Sequence, residues 1–226
     1  MKELVVNHCT ITPVRQEPSE GSEQLTQLLF GEVCEVLDRL PRWTKIRSTV
    51  DGQEGWVDFK MVSGIGDRAP QKYADFLGTP QKMRRLGDKA MRCVAVPMAI
   101  ATNMETGEEL MLTLGTRLPN YAHGTFEVLQ KKYLIDPACV NNATQLLNSD
   151  LSRAELPNNV CAVAQTLLNA PYLWGGKNAM GIDCSGFTQV VYSVFGVNLL
   201  RNAREQITQG IEVASLAEAQ PGDLAF

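Results

Sequence analysis

The sequence predicts an α+β chain in which small β-barrel modules come first and a mixed helical unit follows. Three observations carry this. Residues 1–62 break into strand-length runs punctuated by Gly31 and Asp51-Gly52, residues 90–137 return to the same texture, and from Leu156 the apolar spacing becomes that of helices. With 226 residues there is room for two or three domains. Hydrophobic content of 44% with 20% charged residues is ordinary globular composition, so a buried core is expected. A formal net charge of −4 supplies no electrostatic reason to expect nucleic acid as a partner.

No apolar run approaches the roughly 18 residues that a membrane span requires. The opening residues, Met1 to His8, contain one lysine and no long apolar core, so they do not read as a signal peptide. A cytoplasmic protein is expected, with the cell envelope or periplasm as the alternative if the N-terminus was trimmed. The six cysteines form no C-x-x-C pair and no tight Cys/His cluster. Free thiols are therefore expected rather than disulfides, with no metal and no cofactor.

Within the first region, residues 23–29 lead into a Phe30-Gly31 turn. Residues 32–37 and 42–47 follow as strands, and Asp51-Gly52 marks a tight turn before Glu54-Gly55-Trp56-Val57. The order Gly31-Glu32, Val36-Leu37, Trp43-Thr44-Lys45-Ile46 and Gly52-Gln53-Glu54-Gly55-Trp56-Val57 resembles bacterial SH3-like (SH3b) domains. Another small barrel that uses its tryptophans as core is the alternative. Residues 63–89 carry Gly, Pro and the charges Lys82, Arg84, Arg85 and Lys89, which suits a connector with one helical stretch near Tyr73–Leu77. In residues 90–137, strands are expected at 91–100, 109–114, 125–129 and 132–135, broken by Gly107, Gly115 and Gly124. These make a second SH3-like barrel that is not a clear repeat of the first, and a linker over 138–155 follows.

In the last unit, residues 156–226, Pro157-Asn158-Asn159 can start a helix. Its apolar residues Val160, Val163, Ala164, Leu167 and Leu168 keep helical spacing. A second helix starting near Cys184 repeats that spacing through Phe187, Val190, Val191, Val194 and Phe195, and a third covers about 203–209. A thiol at a helix N-terminus sits beside unpaired backbone N–H groups and the positive end of the macrodipole, both of which favour thiolate. The same N–H groups can stabilise an oxyanion formed during attack on an amide carbonyl. The alternative is that Cys184, three residues before Phe187, merely extends the buried apolar stripe.

The string Tyr172-x-Trp174-Gly175-Gly176, with eight residues between Gly175 and Cys184, followed by Asp183-Cys184-Ser185-Gly186-Phe187, closely resembles NlpC-type cysteine peptidases. Pro221-Gly222-Asp223-Leu224 resembles the turn that precedes a later strand in that family. The resemblance covers about residues 156–226 and implies a papain-like fold and hydrolysis of amide bonds in cell-wall peptides. It implies Cys184 as nucleophile and Tyr172 as a site tyrosine whose hydroxyl supports the oxyanion, both catalytic. Asp183 and Ser185 would shape the substrate pocket, Asp183 serving equally as a helix cap. Trp174 reads as a packed aromatic beside Tyr172 and is placed with the substrate-contacting residues.

The order of SH3b barrels before this domain resembles γ-D-glutamyl-L-diamino acid endopeptidases, which implies muropeptide substrates and a barrel that helps wall off the cleft. Where that subgroup often has Arg-Asp-Ser, this chain has Arg201-Asn202-Ala203. Arg201 keeps the match, with a surface salt bridge as its alternative. Asn202 keeps a hydrogen-bonding group but loses the charge, which weakens recognition of a substrate ammonium. The family's general-base histidine follows the Pro-Gly-Asp-Leu turn, whereas the two histidines here are His8 and His123. The peptidase domain therefore reads as incomplete, and the chain is expected to be nearly inactive, because an ordinary thiol without a base stays mostly protonated at neutral pH. A monomeric cysteine peptidase cutting γ-D-Glu–diamino acid bonds is the leading expectation. A non-catalytic wall-peptide binding module is the alternative, and altered acyl-transfer chemistry on the same fold is a third.

Overall fold

The computed structural model describes residues 2–65, 92–141 and 155–226. The helical stretch expected near Tyr73–Leu77 and most of the two connectors lie outside these residues. Seven strands fill the first region: β1 (Leu4–Asn7), β2 (Ile11–Arg15), β3 (Gln24–Leu29), β4 (Val33–Arg39), β5 (Trp43–Ser48), β6 (Glu54–Asp58) and β7 (Val62–Gly64). They form one antiparallel sheet in the order β3-β2-β6-β5-β4-β1-β7, so β3 lies at its margin. The turn glycines Gly31 and Gly52 adopt φ of 77° and 78°, left-handed values that only glycine takes without strain. Val14, Leu28, Ile46 and Val57 are buried together beneath this sheet.

The second strand-rich region contains β8 (Arg92–Val94), β9 (Met98–Asn103), β10 (Glu109–Thr113), β11 (Arg117–Leu118), β12 (Thr125–Val128), β13 (Lys131–Ile135) and β14 (Val140–Asn141). One run expected over 91–100 is thus two strands. Pro97 stands between them, where a residue without an N–H cannot continue a ladder. The strands divide into a four-stranded sheet, β10-β9-β13-β12, and a three-stranded one, β11-β8-β14. This region does not bury its apolar face alone. Val6, Phe30 and Val33 of the first region share a core with Val94, Leu112, Phe126, Val128, Tyr133 and Ile135. Phe126 stacks on Tyr133 at 5.2 Å between ring centroids, and Phe30 meets Tyr133 edge-on at 5.6 Å.

The last region holds α1 (Glu155–Gln165), the short hairpin β15 (Lys177–Asn178) and β16 (Gly181–Ile182), α2 (Cys184–Ser193) and α3 (Ala203–Gln206). The helix expected to reach Leu168 ends at Gln165. Leu167 is still buried, but Leu168 turns out to solvent. Val160, Leu167, Val190, Val191, Val194 and Phe195 pack together with Cys93 and Leu114 of the second region. All three parts are therefore joined through apolar cores as well as by polar contacts. Among the described residues, no helix is long and apolar enough to cross a membrane.

Phe126 is 1% exposed at the joint between the first and second regions. Its truncation to alanine removes a ring from a core with no solvent access, and a loss of about 3–5 kcal/mol in urea unfolding is expected. A loss below about 1 kcal/mol would show that the joint repacks freely.

Candidate active site

Cys184 occupies the first position of α2 and is the one exposed cysteine among the six. The others differ in kind. Burial pushes the Cys93 thiol up to about 12, and burial together with the nearby Glu32 and Asp51 carboxylates holds Cys34 well above its ordinary value. Such thiols are inert. The view of Cys184 as part of a buried stripe is not what the structure shows, because α2 buries Ser185, Gly186, Gln189, Val190 and Val191 instead.

Asp183 is the N-cap of α2. Its Oδ1 accepts from the Gly186 N–H at 2.6 Å and its carbonyl accepts from the Phe187 N–H. The amides of Cys184 and Ser185 lie in the first turn, where a helix supplies no acceptor of its own. Asp183 does more than cap. Its Oδ2 accepts from the Gly175 N–H at 2.9 Å, and its own N–H donates to the Gly176 carbonyl, so the glycine turn and the start of α2 are tied together.

Arg201 completes this arrangement. It is 2% exposed, not the surface residue that the sequence left open. Nη1 and Nη2 donate to Oδ1 and Oδ2 of Asp183 at 3.1 and 2.6 Å, and Nη1 also donates to Ser185 Oγ at 2.8 Å. Both carboxylate oxygens of Asp183 are thus occupied within the protein, and Asp183 and Ser185 are themselves buried. Asp183, Ser185 and Arg201 together form a bonded frame beneath Cys184. A bidentate pair out of water needs its remaining hydrogen-bonding capacity met, and here each of the three guanidinium nitrogens donates.

Gly175 and Gly186 show why the sequence needs glycine. Gly175 has φ of 73°, and a Cβ there would stand 2.5 Å from the Gln24 carbonyl oxygen of β3. A Cβ on Gly186 would stand 2.2 Å from the Gly176 carbonyl oxygen. Close backbone approach, both to the first sheet and within the site, excludes any side chain at these positions.

Tyr172 and Trp174 are exposed at 67% and 61%. Tyr172 is fixed by a bridge to Ile182, two residues before Cys184. Trp174 is not the packed aromatic that was expected. Its Nε1 donates to Glu23 at 2.8 Å, which pins the indole edge and leaves its surface open. Asn202, also exposed, donates to Glu205 at 2.8 Å and to Gln53 at 3.4 Å.

Several residues around the site gave no sequence signal. Lys177 reads as a surface lysine, yet it is buried in an ion pair with Glu32 at 2.9 Å. Gln27 accepts from the Lys177 N–H and from Asn178 Nδ2, and Thr26 Oγ1 accepts from Arg201 Nε at 2.7 Å. Gln206 donates to the Ser185 and Leu200 carbonyls. These partners lie far apart in sequence, so no local pattern marks them.

Asp51, half-buried, accepts from Gln189 of α2. Burial alone would raise its carboxyl, but Lys177, the Gln53 backbone, Ser48 and Gln189 together bring it below its ordinary value. A carboxyl lowered on folding contributes stability that is complete above its unfolded pKa, about 4, and is lost as pH falls through the folded value. Wild type and Asp51→Asn are therefore expected to differ most in melting temperature near neutrality and to converge in acid. A gap that widens in acid would contradict this. For the frame itself, Asp183→Asn leaves Arg201 short of its counter-charge, with an expected loss of about 3–5 kcal/mol in chemical denaturation.

Residues 169–226 match the NlpC/P60 family and residues 12–63 match the bacterial SH3 domain. A γ-D-glutamyl-L-lysine dipeptidyl-peptidase from Bacillus cereus is 26% identical over 216 residues, covering 89% of this chain; the chain spans 59% of that relative's length. The dipeptidyl-peptidase 6 of Lysinibacillus sphaericus is 40% identical over 70 residues, which are 30% of this chain and 25% of that protein. A solved NlpC/P60 family protein from Bacillus cereus superposes with a TM-score of 0.76 at 18% identity, over 97% of this chain and 81% of that one, which establishes likeness of fold. The chain joins a bacterial SH3 domain to an NlpC/P60 domain and is homologous to the γ-D-glutamyl-L-lysine dipeptidyl-peptidases.

Proposed function

We propose that this chain carries the nucleophile of a cysteine peptidase that hydrolyses γ-D-glutamyl–diamino acid amide bonds in peptidoglycan stem peptides. The observation that carries the proposal is Cys184: an exposed thiol at a helix N-terminus whose cap and neighbours are buried and bonded. The names of the relatives supply the substrate class, since a γ-D-glutamyl-L-lysine bond and a γ-D-glutamyl–diaminopimelate bond present the same acyl group. We propose residues 1–62 and 90–137 as the two SH3-like units and 156–226 as the peptidase unit.

In this scheme the Cys184 thiolate adds to the γ-carbonyl carbon of D-glutamate. The carbonyl oxygen becomes an oxyanion beside the Cys184 and Ser185 amides, with the Tyr172 hydroxyl as a further donor. Collapse breaks the C–N bond, releases the diamino acid amine with a proton, and leaves a thioester that water hydrolyses. Exposed Trp174 offers an apolar face for the peptide, and Asn202 a neutral hydrogen-bonding group.

A base must take the thiol proton and return it to the leaving amine. His8 is hydrogen-bonded to Ser63 at 2.9 Å and His123 stands in the turn before β12, and neither is hydrogen-bonded to Cys184. The base is assigned to neither. Hydrolysis of L-Ala-γ-D-Glu-diaminopimelate by residues 1–226 is therefore expected to be slow, and to rise about 10²–10⁴-fold when a histidine-bearing segment is supplied after Phe226. Cys184→Ala is expected to abolish the gain. Activity that survives this substitution would overturn the proposal, and binding without turnover in the extended form would favour a wall-peptide binding module.

A further inference from the structure

We infer that strand β3 of the SH3 domain is part of the apparatus that positions the nucleophile turn, with Thr26 as its principal positioning residue. This rests on the reading of Cys184 as the reacting group. A strand at the margin of a sheet offers unpaired backbone and is normally covered or blunted. In β3 the last four residues, Thr26 to Leu29, are all buried, where a strand with one wet face would alternate. The pairing of β2 with β3 also shifts register between Val14 and Arg15, leaving Leu25 without a partner. Bulges of this kind re-aim the side chains beside them.

The side chains so aimed meet the peptidase unit at three points. Gln24 donates to the Trp174 carbonyl at 2.9 Å. Gln27 receives the Lys177 N–H at 3.0 Å and Asn178 Nδ2 at 2.7 Å. Thr26, 2% exposed, receives Arg201 Nε at 2.7 Å. The third contact is the most direct in its reach. A guanidinium is a rigid plane, so fixing Nε fixes the direction of Nη1 and Nη2. Those two nitrogens hold Asp183 and Ser185, the residues on either side of Cys184. Rotation of the plane about a lost Nε contact would carry the cap, and with it the thiol, out of line with the first-turn amides. The SH3 domain thereby acts on the chemistry through Arg201, separately from any contact it makes with substrate.

The test is the second-order rate of Cys184 alkylation by iodoacetamide, followed on the Cys184 peptide by mass spectrometry with half-buried Cys9 and Cys139 as internal references. Thr26→Val keeps the shape and removes the acceptor, and it is expected to slow alkylation of Cys184 severalfold. Thr26→Ser restores the hydroxyl and the rate. Val57→Ala, in the core of the first sheet but outside the hydrogen bonds to the peptidase unit, is expected to lower the melting temperature while leaving the rate at the wild-type value. A wild-type rate in Thr26→Val, or an equal slowing in Val57→Ala, would overturn the inference by reducing Thr26 to a stability role. If Thr26→Val does not fold, Gln27→Met carries the test: the same slowing supports the inference and a wild-type rate refutes it. Alkylation needs no turnover, so failure of the peptidase proposal leaves this result readable.

Discussion

The buried pair of Asp183 and Arg201 is the contact on which the site depends. Few polar groups tolerate such burial; both partners are under 10% exposed. A pair of this kind adds little net stability over an apolar substitute, because desolvation offsets most of the attraction. What it supplies is direction. Asp183 places one oxygen on the helix amide and the other on the glycine turn, while Arg201 shares Nη1 with Ser185 and places its remaining nitrogen, Nε, on the first sheet. Every group in the cluster has one geometry in which it is satisfied, and that geometry leaves Cys184 as the exposed member.

The same economy explains the glycines. Backbone approaches backbone at Gly175 and Gly186 too closely for a Cβ, so the turn that carries Trp174 is pressed between β3 and the start of α2. The Lys177–Glu32 ion pair and Gln27 secure the next two residues to the first sheet. The apolar cores do the bulk joining, with Phe30 reaching into the second region and Leu114 into the last. Polar contacts then set the register between parts that hydrophobic packing alone would leave free to slide.

Much of this was legible in the sequence. The runs around Phe30-Gly31 and Asp51-Gly52 identify strands and turns, because left-handed turns and alternation are local properties. The position of Cys184 at a helix start follows from Asp183 and the apolar spacing after it. What was not legible depends on contacts distant in sequence. Arg201 and Lys177 carry the signature of surface cations, and only the approach of β3, some 150–175 positions earlier, buries them. Trp174 fails in the other direction. An aromatic beside glycines reads as core, but Glu23 holds its edge at the surface. The broken strand at Pro97 was missed for a local reason, since its flanking residues keep strand character on both sides.

The central claim, that this frame presents Cys184 as a nucleophile toward γ-D-glutamyl groups, is tested most directly by trapping the acyl group. An L-Ala-γ-D-Glu thioester with a good leaving group would transfer its acyl group to the attacking sulfur and release a free thiol. Intact mass and peptide mapping would then read the adduct. The account predicts one acyl group per chain, on Cys184 among the six cysteines; labelling spread over the half-buried thiols, or none on Cys184, would contradict it.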